Sequence, residues 1–131
     1  MKKLFIIIVI NLQLSNFSFA NQITYYCVDD RAGGYQGSGI DDTRKPVMFR
    51  PGKFKVQFNE SSDSLLMIMN EVESTLKTYN QYKIFYTDSF DTTLVFQPLK
   101  WETNKQIRHY VRSHTLPGDS LYVAQGKCEK F

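Results

Sequence analysis

Two cysteines, two histidines and one tryptophan are all that 131 residues contain of the rarer chemistry-bearing side chains. No Cys-x-x-Cys occurs, so neither a thioredoxin-like redox motif nor a cysteine-built zinc site is encoded. No Gly-Lys-Ser/Thr follows a glycine-rich turn, which excludes a P-loop. No Gly-x-Ser-x-Gly nucleophile elbow is present either. Four prolines and seven glycines are too few for a collagen or a low-complexity linker. Beyond the first residues no apolar run is long enough to span a bilayer. What remains is 42% apolar, 15% aromatic and 22% charged. That is the composition of one globular domain.

Met1-Lys2-Lys3 is a short positive segment, and Leu4 to Ile10 is an unbroken apolar run. Asn11, Gln13, Ser15 and Asn16 then dilute the hydrophobicity, and Ser18-Phe19-Ala20 forms a small-x-small cleavage site. Residues 1–20 therefore read as a secretory signal peptide, and 21–131 as a single exported domain beginning at Asn21. The apolar run is too short for a stable membrane anchor. The formal charge of +3 counts Lys2 and Lys3. Without them Lys+Arg falls from 16 to 14 against 13 Asp+Glu, a formal +1. The basic balance belongs to the export segment, and nucleic acid is not an expected partner. The favoured residues (Phe, Tyr, Met, Ile, Asn, Lys) have A/T-rich codons and point to an A/T-rich bacterial genome.

Export places Cys27 and Cys128 where disulfides persist, and two cysteines allow one intramolecular pairing. The bond closes a loop of about 101 residues, worth on the order of 4.7 kcal/mol in the chain-entropy model. It requires the two Cα atoms to lie roughly 4.4–6.8 Å apart. The first and last strands then lie side by side or face each other.

The remaining pattern is strand-like. Ile23–Val28, Phe54–Phe58, Tyr82–Tyr86, Thr92–Phe96, Ile107–His114 and Leu121–Cys128 are rich in β-branched and aromatic residues or alternate with period two. Phe54, Phe58, Phe85, Phe96 and Tyr122 are the expected inward aromatics. Leu65–Met69 fits either a strand pairing back on Phe54–Phe58 or a helix running to Leu76; its strand-like neighbours favour the strand. Asp29–Lys45, with four glycines and four aspartates, reads as a long loop. Together these give an all-β fold: a small antiparallel β-sandwich or barrel of about seven strands, closed by one disulfide.

Few residues suggest chemistry. The loop from Asp29 to Asp42 has carboxylates suited to a hard cation, but not the alternate-ligand spacing of an EF-hand, and Arg31, Arg44 and Lys45 dilute its charge. No metal site and no cofactor are assigned. Asp88 and Asp91 flank a turn, where solvated carboxylates are expected. Arg108, Tyr110, Arg112 and His114 share one strand face. Such a face suits an anion or an acidic partner, or is the solvent side of the sheet with arginines blunting an edge. His109 and His114 fall on opposite faces, as do Ser113 and His114, so neither pair forms a site on one strand. Trp101, between Lys100 and Glu102, either anchors a partner or packs over the sheet end.

Tyr-Tyr-Cys-Val at 25–28, Phe-Arg-Pro-Gly-Lys-Phe-Lys-Val at 49–56 and the ending Tyr122-Val123-x-x-Gly126-x-Cys128-x-x-Phe131 resemble small exported proteins of marine bacteria and their phages. That resemblance implies no activity. Tyr25-Tyr26-Cys27 with the late Cys128 is also similar in outline to the periplasmic inhibitors of animal-type lysozyme. Their inhibitory segments are not matched: Ser38-Gly39-Ile40-Asp41-Asp42 lacks the tyrosine, and Trp101-Glu102-Thr103-Asn104 lacks the Lys-Gly.

The expected function is a non-enzymatic binding module, periplasmic or secreted, whose partner is an envelope protein or a small ligand. Its preferred contact surfaces are the long Gly/Asp loop and the Arg108–His114 strand, with Arg108, Tyr110, Arg112, His114 and Trp101 as its candidate contacts. Three alternatives stay open: a small-molecule or lipid carrier with an internal cavity, an inhibitor of a cell-wall lytic enzyme, and an enzyme.

Overall fold

The computed structural model describes residues 22–37, 45–88, 92–116 and 120–131. Among them are nine strands: β1 (Ile23–Gln36), β2 (Lys45–Met48), β3 (Lys53–Phe58), β4 (Ser64–Met69), β5 (Val72–Lys77), β6 (Phe85–Thr87), β7 (Thr92–Phe96), β8 (Ile107–Leu116) and β9 (Ser120–Lys130). From β3 to β9 each strand pairs antiparallel with the next, and β9 returns to pair with β1. This closes an eight-stranded up-and-down barrel and removes the exposed edges of an open sheet. β2 is the extra strand. It covers Gly33–Gln36 of β1 while β3 covers Ile23–Val28, so the two continue one another across Phe49-Arg50-Pro51-Gly52.

The fold is thus the barrel rather than the sandwich, with nine strands instead of seven. One addition is β2. The other is β5: Leu65–Met69 lies in a strand that pairs back on Phe54–Phe58 as expected, and the chain then turns into a further strand, Val72–Lys77, instead of a helix running to Leu76. Asn70 and Glu71 both adopt positive φ, 50° and 66°, and join Met69 to its partner Val72. That is a two-residue type I′ turn, whose twist matches a hairpin.

The Gly/Asp loop expected from Asp29 begins later than the composition suggests. β1 runs on through Asp29 to Gln36, paired with β9 along its length. A bulge between Asp29 and Arg31 resets its alternation. Tyr25, Cys27 and Asp29 point inward before it, and Ala32 after it. Gly34 is there for close approach, since a Cβ would lie 1.8 Å from the Leu121 carbonyl oxygen. Gly39, Asp41 and Asp42 lie outside the described residues, as do residues 1–20, Asn21, Asp91, and Ser38-Gly39-Ile40-Asp41-Asp42 as a whole.

Cys27 and Cys128 stand directly opposite each other on β1 and β9 and form a disulfide, with a Cα separation of 3.9 Å. The approach is tighter than the separation expected above, and it lies across one rung of the antiparallel β1–β9 ladder. The bond is buried inside the barrel.

Around it the interior is filled. Phe54, Val56, Phe58, Leu65, Met67, Leu76, Tyr86, Leu94, Phe96 and Tyr110 form one cluster. The Phe58 ring meets Tyr25, Tyr86 and Phe96 at centroid separations of 5.8, 5.6 and 5.6 Å. Tilted and edge-on contacts of this kind suit the aromatic quadrupole. The inward aromatic of β6 is Tyr86, which is fully buried; Phe85, expected inward, is 40% exposed. No helix among the described residues is long and apolar enough to cross a membrane.

Candidate functional site

On β8, Arg108, Tyr110, Arg112 and His114 share a face, as period two demands. That face is the inside of the barrel, which corrects the expectation of a surface patch. Arg108, Tyr110 and Arg112 are only 7%, 3% and 6% exposed, while Val111 on the other face is 48% exposed. The inversion has a physical cause. The two guanidinium planes lie over aromatic rings, and the long arginine stems fill space as apolar side chains would. The two arginines nevertheless sit in different surroundings.

Arg112 meets Asp29 in a bidentate ion pair, Nε to Oδ1 at 3.0 Å and Nη2 to Oδ2 at 2.6 Å. Tyr110 donates to Oδ1 at 2.7 Å, and Tyr122 donates to Oδ2 at 2.7 Å. The Gly52 amide donates to Oδ2 at 2.8 Å. Five hydrogen bonds thus reach one buried carboxylate. Burial alone pushes the Asp29 carboxyl up, but the bonds from Arg112, Tyr110, Tyr122 and Gly52 outweigh it and hold it below the ordinary value. Burial first, then the Asp29 carboxylate, push the Tyr122 phenol up to about 12 and the Tyr110 phenol higher still. Gly126 makes the cluster accessible to Tyr110, because a Cβ there would lie 2.7 Å from the phenol oxygen. The arrangement neutralises its own charge and pins β1, β8 and β9 together. His114 lies near this end of the barrel, with Nδ1 2.8 Å from Thr92 Oγ1.

Arg108 is the contrast. Its guanidinium carbon lies 4.4 Å from the Phe96 ring centroid and 5.6 Å from that of Phe58. Its Nε is buried without a hydrogen-bond partner. Among the described residues no carboxylate oxygen lies within 4.0 Å of it. Burial pulls its pKa below the ordinary arginine value.

Arg108 forms part of the wall of a recess of about 690 Å³ at the mouth of the barrel. Tyr86 of β6 and three connections supply the rest: Ser62 from 59–63, Lys83 and its neighbours from 78–84, and Pro98 to Trp101 from 97–106. The barrel wall is thin here, since among the described residues β5 and β6 pair at Lys77 and Thr87 alone. Tyr86 compensates by donating to the carbonyls of Ser62 and Lys83, at 2.8 and 3.1 Å. Lys83 adds a bond to the Ser61 carbonyl and an ion pair with Asp63 at 3.3 Å.

The connection carrying Trp101 is equally fixed. Leu99–Trp101 forms a 3-10 turn, and Lys105 Nζ donates to the carbonyls of Leu99 and Glu102. Glu102 is buried and accepts from His109 twice, from the backbone N–H at 2.6 Å and in the Nδ1 contact at 2.9 Å. Burial pushes the Glu102 carboxyl up, yet the His109 bonds and the nearby Arg108 charge hold it below the ordinary value. Trp101 itself is 65% exposed, with Lys100 Nζ 5.8 Å from its ring centroid.

Of the five candidate contacts, Arg108 and Trp101 meet at the mouth recess. Tyr110 and Arg112 belong to the Asp29 cluster. Arg112 and His114 line a smaller recess of about 230 Å³. In the sequence Asp29 reads only as the start of a loop with carboxylates suited to a cation, and Glu102 is not singled out. The parity of Tyr25, Cys27 and Asp29 was a usable signal for Asp29; nothing local marked Glu102. Among the described residues no group of three or more His, Cys, Asp or Glu could hold a metal ion. Comparison of the chain with protein-family models, with curated proteins and with solved structures returned no match.

Proposed function

We propose that this chain is an exported binding module, working without catalysis, whose contact surface is the mouth recess framed by Tyr82, Lys83, Lys100 and Trp101. The observation that carries the reading is the recess itself. It combines a volume in the range of small-ligand sites with a rigid, largely exposed tryptophan and a buried cation. A packed barrel interior favours contact at the mouth over carriage inside the barrel. The best-buried carboxylates, Asp29 and Glu102, are already engaged by internal donors, which favours binding over acid–base chemistry. The disulfide fits an oxidising compartment.

Site-specific photo-crosslinking in intact producing cells tests this reading. A benzophenone side chain replacing Tyr82 is expected to give a discrete adduct that excess purified protein competes away. One replacing Tyr35, an exposed residue of β1, is expected to give none. An adduct from Tyr35 alone, or from neither position, overturns the assignment. Mass spectrometry of the same cells is expected to find a mature chain starting at Asn21; intact Met1 in the membrane fraction overturns the export reading.

A further inference from the structure

We propose that the mouth recess is a site for an organic oxyanion, with a carboxylate, sulfonate or phosphate head seated on Arg108 and an apolar body against Trp101, Tyr82 and Leu99. The inference rests on the reading of the mouth as the contact surface and adds the chemistry of what enters it.

The central observation is an unsatisfied charge. Arg108 is more than nine-tenths buried and lines the recess; its Nε has no hydrogen-bond partner, and no ion pair reaches its guanidinium among the described residues. A cation held in the low-dielectric interior with no acceptor for its N–H groups is costly to keep. Stacking on Phe96 and Phe58 offsets part of that cost and fixes the guanidinium plane. It supplies no acceptor for the N–H groups. The nearest internal anion, Glu102, is turned to His109.

The remaining charge points the same way. Lys83 and Lys100 line the same recess, and among the described residues no carboxylate does. Lys83 is paired with the exposed Asp63, outside the lining. A planar guanidinium fork with flanking cations matches an oxyanion head. The rest of the lining is ring and aliphatic surface, so a bare inorganic ion leaves most of it unused. The volume admits a body of one or two fused rings.

Isothermal titration calorimetry with four naphthalenes tests the proposal: 2-naphthoate, 2-naphthalenesulfonate, 2-naphthyl phosphate and the neutral 2-methoxynaphthalene. The anions are expected to bind at least tenfold more tightly than the neutral compound, and the ranking of the three heads identifies the source of the oxyanion. Emission from Trp101, the only tryptophan, is expected to shift on binding. Arg108→Met is expected to remove the preference for anions while keeping the weak binding of the neutral compound. Arg108→Lys retains charge without the fork and is expected to recover only part of the preference. Circular dichroism verifies that each variant is folded, and should Arg108→Met not fold, Arg108→Lys together with Lys100→Ala carries the comparison. Equal binding of anions and neutral compound, with Trp101 responding to both, overturns the oxyanion site and leaves the mouth intact as a surface. Binding of none of the four also overturns the oxyanion site, and the crosslinking result then decides the mouth by itself.

Discussion

Replacing Asp29 by alanine removes the acceptor of five hydrogen bonds and strands the Arg112 guanidinium in the barrel interior. Among the described residues the one hydrogen bond then left to that group runs from Arg112 Nη2 to the Tyr122 hydroxyl, at 2.9 Å, beside its stacking on Phe54 and Tyr122. Breaking a buried pair from one side costs about 3–5 kcal/mol. At roughly 4 °C per kcal/mol for a domain of this size, the melting temperature falls by about 12–20 °C. Urea denaturation followed by near-ultraviolet circular dichroism reads the change directly. The double variant Asp29→Ala/Arg112→Met removes both charges and is expected to be more stable than Asp29→Ala alone. The pH dependence follows from the same geometry. A carboxyl held below its ordinary value of 3.8 contributes its stabilisation in full above that value. It loses it as pH falls through the lower, folded-state pKa. The wild-type protein is therefore expected to lose stability steeply below about pH 4, and Asp29→Ala to show a shallower acid limb. A loss under about 1 kcal/mol in Asp29→Ala, or single-variant effects that add within about 0.5 kcal/mol, refutes the account of the cluster as a coupled unit.

Two further outcomes follow from the backbone and the covalent frame. Reduction in mild denaturant is expected to lower stability by up to about 4.7 kcal/mol, since the bond joins residues 101 apart; equal melting of oxidised and reduced protein rules this out. Glu71→Gly is expected to stabilise the β4–β5 hairpin by about 1 kcal/mol, because the turn holds a non-glycine residue at φ 66°; a decrease in melting temperature shows that the Glu71 side chain makes a compensating contact.

Period-two alternation made Phe54, Val56 and Phe58 legible as one inward row, and cysteine arithmetic made the β1–β9 seam legible before any geometry. What alternation could not supply was phase. On β8 the apolar Ile107 and Val111 face outward and the arginines inward, because closure of the barrel brings Asp29, Phe54 and Phe96 against that side. Closure is a long-range event, and no window along Ile107–His114 contains it. The bulge at Asp29–Arg31 was hidden for the same reason: aspartates and glycines read as a loop until β9 is in place to pair with them. The Asn70–Glu71 turn was missed for a local reason. Glutamate is a poor marker of positive φ, and only the asparagine hinted at it.

Two arginines four residues apart on the same inward face of β8 carry different burdens. Both are stacked on aromatic rings and both are more than nine-tenths buried. Arg112 is met by a carboxylate that the fold supplies, so its contribution is complete within the chain. Arg108 is met by ring faces and an open recess. If both were structural alone, truncating either to methionine would carry a comparable penalty. The geometry instead makes the two substitutions opposite in kind. Arg112→Met leaves the Asp29 charge short of its main partner and is destabilising. Arg108→Met removes a desolvated charge whose internal counter-charge, Glu102, is already bound to His109, and is expected to leave stability near that of the wild type or above it. A melting temperature of Arg108→Met at or above that of the wild type, beside a clear loss in Arg112→Met, is the outcome expected under the proposed oxyanion site; equal losses make both arginines structural.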